Sequence, residues 1–135
     1  MYHFSAKILF WGYNLLLLLF ALMPLSSVGV SGLNKTEVMG FRSDHLLHML
    51  VFVPWYTLAV FSFYSGRLWQ YILLFVAGLI FGFFAEFVQY FISYRSYNFH
   101  DLWANLIGVT AGVALYFVAL PFLKKYRLLP IAQKE

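Results

Sequence analysis

Polar residues interrupt this chain only at long intervals, and the apolar stretches between them have the length of membrane spans. A helix needs about 20 mainly apolar residues to cross a hydrocarbon core. Four segments qualify, at about 8–30, 45–64, 68–92 and 102–123. Asn14 is the main polar interruption of the first, and Pro54, which lacks an N–H donor, should kink the second. Only Ser65, Gly66 and Arg67 separate the second segment from the third, which predicts a tight antiparallel hairpin. The other two connections, about 31–44 and 93–101, are longer and more polar. The pattern predicts an all-α membrane protein, one domain over 1–135 with four transmembrane helices.

Composition agrees. Charged residues make up 10% of the chain against about 25% in soluble domains, while 63% is hydrophobic and 22% aromatic. A soluble fold of 135 residues could not hide that much apolar surface. A soluble enzyme and a disordered tail are excluded. So is a nucleic-acid partner, because no basic stripe with interleaved aromatics accompanies the net charge of +4. The absence of cysteine removes thiolate metal sites, disulfides and cysteine catalysis. Lys7 followed by an apolar run resembles a secretory signal, but the run exceeds the 7–15 residues of a signal core, and a retained helix is expected.

Four spans put both termini on one side. Lys7, Arg67, Lys124, Lys125, Arg127 and Lys134 fall on that side, and Lys35, Arg42 and Arg95 on the other. Positive residues favour the cytoplasm, so both termini are expected inside and the long connections outside, in a multi-pass membrane protein. Most acids, Glu37, Asp44, Glu86 and Asp101, belong to the outer half.

Ionisable groups in or beside a spanning helix are costly and tend to mark function. Asp44, His45 and His48 open the second helix; Asp44 and His48, four apart, share a face. Ser43 or Asp44 is expected to cap that helix, which leaves the two histidines unexplained. On the third helix Gly78, Gly82 and Glu86 form one stripe, with Gln89 beside it. On the fourth, Asp101, Asn105, Gly108 and Gly112 lie along a single face. Small residues four apart let helices approach closely, and polar side chains there can serve as interhelical glue, each bond worth roughly 0.6–2 kcal/mol. A packing seam therefore accounts for the glycines. It does not account for His48, Glu86, Arg95 and Asp101 gathering at one end, because burying several ionisable groups costs several kcal/mol unless they pair or bind something. A converging polar pocket is expected there.

These residues resemble the VanZ-like family of small membrane proteins. The family pattern has Asp-Lys-x-x-His at one helix start, Glu-x-x-Gln at the end of the next helix, and Arg-x5-Asp-x3-Asn-x2-Gly-x3-Gly into the last. Asp44 and His48 match the first element, Glu86 and Gln89 the second, and Arg95, Asp101, Asn105, Gly108 and Gly112 the third. The likeness covers about 44–112, with the first helix matching only as an apolar span. His45 stands where the family has lysine, which replaces a fixed charge with a group titrating at about 6.5. The resemblance implies action on phosphate-linked lipid headgroups, in a phospholipid or a polyprenyl-phosphate envelope precursor, by hydrolysis or transfer. The family is named after a factor linked to teicoplanin resistance.

The residues suit that chemistry. Arg95 has a planar donor fork for phosphate, and His45 could assist when protonated. His48, oriented by Asp44 or Asp101, could act as base or nucleophile. Glu86 could serve as a proton donor, and Gln89 and Asn105 would position the headgroup or a water. No cofactor is expected and no metal ligand is assigned. A bound divalent metal on His45, His48 and an acid is the lesser variant. The leading rival is a non-catalytic accessory subunit of a larger membrane protein, or a protein that binds lipid or a glycopeptide antibiotic. A small multidrug exporter would carry an acid in its first helix, and this one has none.

Overall fold

The computed structural model describes residues 2–22, 37–38, 41–65, 67–92 and 99–126, with side chains over 4–22, 45–65, 67–92 and 99–126. Four helices carry the fold: α1 (Tyr2–Leu22), α2 (Ser43–Phe63), α3 (Trp69–Tyr90) and α4 (Phe99–Lys125). All four are long and apolar enough to cross a membrane. A ladder of two-residue strands, β1 (Glu37–Val38) and β2 (Phe41–Arg42), is the one departure from the all-α expectation among the described residues. It pairs Glu37 with Arg42 and Val38 with Phe41, and β2 runs directly into α2.

Helices α2, α3 and α4 fall within a few residues of expectation, but α1 begins at Tyr2, well ahead of residue 8. Lys7 is tolerated inside it because the long stem can carry its ammonium toward the interface. Its Nζ lies 6.0 Å from the centre of the Phe63 ring. The described part of α1 ends at Leu22. The remainder of the expected first span, 23–30, lies outside the described residues.

Helix α2 is the centre of the bundle and packs on the other three. It runs antiparallel to α1: Ser62 Oγ donates to the Ala6 carbonyl at 2.9 Å, and further along Trp55 Nε1 donates to Asn14 Oδ1 at 3.0 Å. Asn14 Nδ2 meanwhile donates to the Phe10 carbonyl at 2.8 Å, so this intramembrane amide is satisfied on both atoms. Pro54 sits within a continuous α2 and has no N–H for the turn before it. In that disturbed turn the Tyr13 hydroxyl donates to the Val51 carbonyl.

The hairpin from α2 to α3 is as tight as expected. Gln70 Oε1 accepts from the backbone N–H of Ser65 at 2.9 Å and of Arg67 at 3.3 Å, latching the turn from the start of α3. Tyr64 stacks on Tyr71 with ring centres 4.5 Å apart. Large apolar side chains such as Leu68, Ile72, Tyr90 and Val118 face outward, whereas Glu86, Gln89 and Asn105 are inside. That arrangement suits a hydrocarbon solvent rather than water.

Two registers organise the interior. Against α2, α4 runs parallel: His45 meets Asp101, His48 meets Asn105, Phe52 meets Gly108, Val53 meets Gly112 and Tyr56 meets Tyr116. Against α3, α4 runs antiparallel: Tyr71 meets Tyr116, Gly78 meets Val109 and Gly82 meets Asn105. The polar pairs lie at one end, where α2 and α4 begin, and the tyrosines lie at the other.

Candidate functional site

The polar end is built in layers, each one helical turn above the last. Gly108 and Gly112 set the floor. A Cβ on Gly108 would collide with the Met49 carbonyl oxygen, and one on Gly112 with that of Val53. Glycine is therefore what lets the α4 backbone rest on the α2 backbone, and it holds the two helices close enough for short polar side chains to bridge them.

The first polar layer joins three helices through two hydrogen bonds. His48 Nδ1 lies 3.2 Å from Asn105 Oδ1, and Asn105 Nδ2 donates to the Gly82 carbonyl at 3.4 Å. A backbone carbonyl only accepts, so it fixes which end of the Asn105 amide faces each way. Oδ1 cannot donate to the imidazole. Nδ1 therefore carries hydrogen, and the basic lone pair of neutral His48 is on Nε2. Edge-on to the His48 ring, Phe20 of α1 lies at 6.1 Å.

One turn outward, His45 Nε2 lies 3.3 Å from Asp101 Oδ1. The antiparallel steps from Gly78–Val109 to Gly82–Asn105 bring Glu86 to the level of Asp101 when carried one turn further. Gln89 follows on the same buried face of α3. Burial is severe: Glu86 is 0% exposed, Gln89 1%, Asn105 1%, His48 4% and Asp101 6%. Gln89 Oε1 finds no hydrogen-bond donor among the described residues.

The structure thus brings together His45, His48, Glu86, Gln89, Asp101 and Asn105. The side chain of Asp44 lies outside those described, although its backbone is in the first turn of α2, and the expected cap by Ser43 or Asp44 lies outside them too. Arg95 lies outside the described residues altogether. Asn105, expected as a headgroup contact, is hydrogen-bonded to His48, and Asp101 lies against His45. The parallel register accounts for this, since it sets each α2 histidine against a different turn of α4.

His100 is an addition. Its ring stacks on that of His45 with centres 5.6 Å apart and planes 16° apart. Its position next to Asp101 was the available signal, but a histidine at a helix boundary has no periodic mark. Among the described residues no three of His, Cys, Asp or Glu are grouped to hold a metal ion.

Fold and site together define a multi-pass helical membrane protein with a buried polar centre at one end of its bundle. The chain belongs to the VanZ/LLP1 family, whose model matches residues 6–120. The match extends the likeness from the polar motifs into most of α1 and α4. No curated protein and no solved structure matches the chain.

Proposed function

We propose that the protein acts on phosphate-linked lipid headgroups, of a phospholipid or a polyprenyl-phosphate precursor, at the outer face of a bacterial cytoplasmic membrane. The reaction is hydrolysis or headgroup transfer. The observation that carries this reading is the His48–Asn105–Gly82 chain of hydrogen bonds, which directs a basic imidazole nitrogen from a buried, fixed ring. Lipid tails lie in hydrocarbon and the phosphate at the interface, the depth at which helix ends place polar groups.

His48 Nε2 takes a proton from water as the water oxygen bonds to phosphorus and the ester P–O bond breaks. The departing ester oxygen receives a proton from His45 in its imidazolium form, held by Asp101. In transfer, an acceptor hydroxyl replaces the water. Glu86 and Gln89 contact the headgroup, and Arg95 and Asp44 are proposed partners for the phosphate and the histidines.

Purified protein incubated with phospholipid or polyprenyl-phosphate vesicles should release a water-soluble phosphate compound, followed by phosphorus NMR. His48→Ala and Asp101→Ala should each lower that release at least about 100-fold. If both variants retain wild-type turnover, or if the wild type turns over none of these lipids, the enzymatic reading fails.

A further inference from the structure

The outward face of α1 carries a trough whose lining residues, Phe4, Lys7, Ile8, Trp11, Gly12 and Leu15, all come from that helix. Phe4, Ile8, Trp11 and Leu15 recur at helical spacing, and each is more than half exposed. Gly12 makes the notch beside them, since nothing lies within 4 Å of the position a Cβ would take. From Phe4 to Leu15 the helix rises about 16 Å, half of a hydrocarbon core about 30 Å thick. The trough is one leaflet deep.

Its two polar side chains are both donors. The Lys7 ammonium stands beside the Phe63 ring, and the two carboxylates among the described side chains, Glu86 and Asp101, lie at the far end of the bundle. About 6 Å deeper along the axis, Trp11 presents an indole N–H, which can only donate. That N–H has no acceptor among the described residues.

We propose that the trough holds an anionic glycerophospholipid of the leaflet at which α1 begins. An acyl chain lies along Ile8, Trp11 and Leu15 and over Gly12. A phosphate oxygen accepts from Lys7, and an ester carbonyl, the next acceptor inward along such a lipid, accepts from Trp11. The donors follow the order of the lipid's acceptors, with the charged one outside and the neutral one deeper. The same end of the bundle selects the headgroup. Lys7, Arg67, Lys124 and Lys125 gather there without a described carboxylate, so the ammonium of a zwitterionic lipid meets like charge and an anionic headgroup is attracted. A second copy of the chain suits the face less well. A symmetric pair about an axis along the membrane normal would set Lys7 against Lys7 at equal depth. The site stands apart from the polar layers of α2, α3 and α4, and the proposal does not depend on what those layers do.

The test uses the full chain in detergent with equal amounts of phosphatidylglycerol and phosphatidylcholine of one acyl composition. Native mass spectrometry then measures the lipid retained and the oligomeric state. The wild type should prefer phosphatidylglycerol at least about fivefold, and Lys7→Gln should lower that preference by about the same factor. Gly12→Leu fills the notch where a side chain meets nothing, so it should keep the fold and lower retention of both lipids. Trp11→Phe keeps an aromatic ring without the donor and should lower retention of both alike. Circular dichroism confirms helix content in each variant, and the wild-type preference is read independently of them. Equal retention by the wild type, or a preference that Lys7→Gln and Gly12→Leu both leave intact, overturns the proposal. A wild-type dimer that Gly12→Leu converts to monomer also overturns it and assigns the trough to a second copy.

Discussion

Asn105 uses both ends of one amide, and the state of His48 depends on it. Replacing it with leucine removes the acceptor that holds Nδ1–H and the donor to the Gly82 carbonyl. Asn105→Leu should lower turnover about 100-fold, the penalty that misorientation of a catalytic group carries, with helix content retained. Asn105→Asp keeps an acceptor for Nδ1–H and should recover most of that loss; steady-state rates of the two variants check it. Individual polar residues were legible because each interrupts an apolar window: Asn14, His48, Glu86, Gln89, Asp101 and Asn105 all stand out on that ground. Their partners were not. Nothing local in the chain announces that Asn14 accepts from Trp55, or that Asn105 rather than an acid holds His48, because each contact depends on the rotation and register of a different helix. Asn14→Leu leaves the Trp55 N–H buried without an acceptor, and should cost about 1–3 kcal/mol in detergent unfolding.

Between elements, the glycine stripes have unequal weight, and the structure ranks them. Gly108 and Gly112 rest on backbone, which cannot turn aside, so Gly108→Ala and Gly112→Ala should each destabilise by about 1–3 kcal/mol or part the helices. Gly82 has only ordinary contacts at 3.5 Å and beyond, and Gly12 has nothing within 4 Å. Gly82→Ala and Gly12→Ala should therefore stay within about 1 kcal/mol of wild type, Gly12→Ala gaining slightly from helix propensity. Unfolding midpoints of the four variants test the order. Spacing alone marked Gly78, Gly82, Gly108 and Gly112 as equivalent. Spacing gives the face a residue occupies but not whether backbone or side chain stands opposite. The hairpin was readable because so short a connection forces neighbouring helices antiparallel, whereas the start of α1 was not, since a snorkelling lysine erases the charge boundary.

At the scale of the whole molecule, alternating helices bring Lys7, Arg67, Lys124 and Lys125 to the end away from the polar layers, and positive charge favours the cytoplasm. A cysteine replacing Glu37 should react with an impermeant maleimide in whole cells, and one replacing Arg67 should not, with no native cysteine to interfere. The reverse labelling would move the polar end to the inner leaflet. The seam of Gly108 and Gly112 against α2 also assigns the moving parts. Two backbones in contact cannot slide past each other without first separating, so α2 and α4 act as a fixed post. The α1 and α3 seams rest largely on side chains, including the Phe20 edge over His48 and the long Asn105–Gly82 bond, which can yield by rotamer change. On the proposed reading a lipid would enter and leave by displacing α1 or α3 sideways, while the His48 imidazole stays where the post holds it.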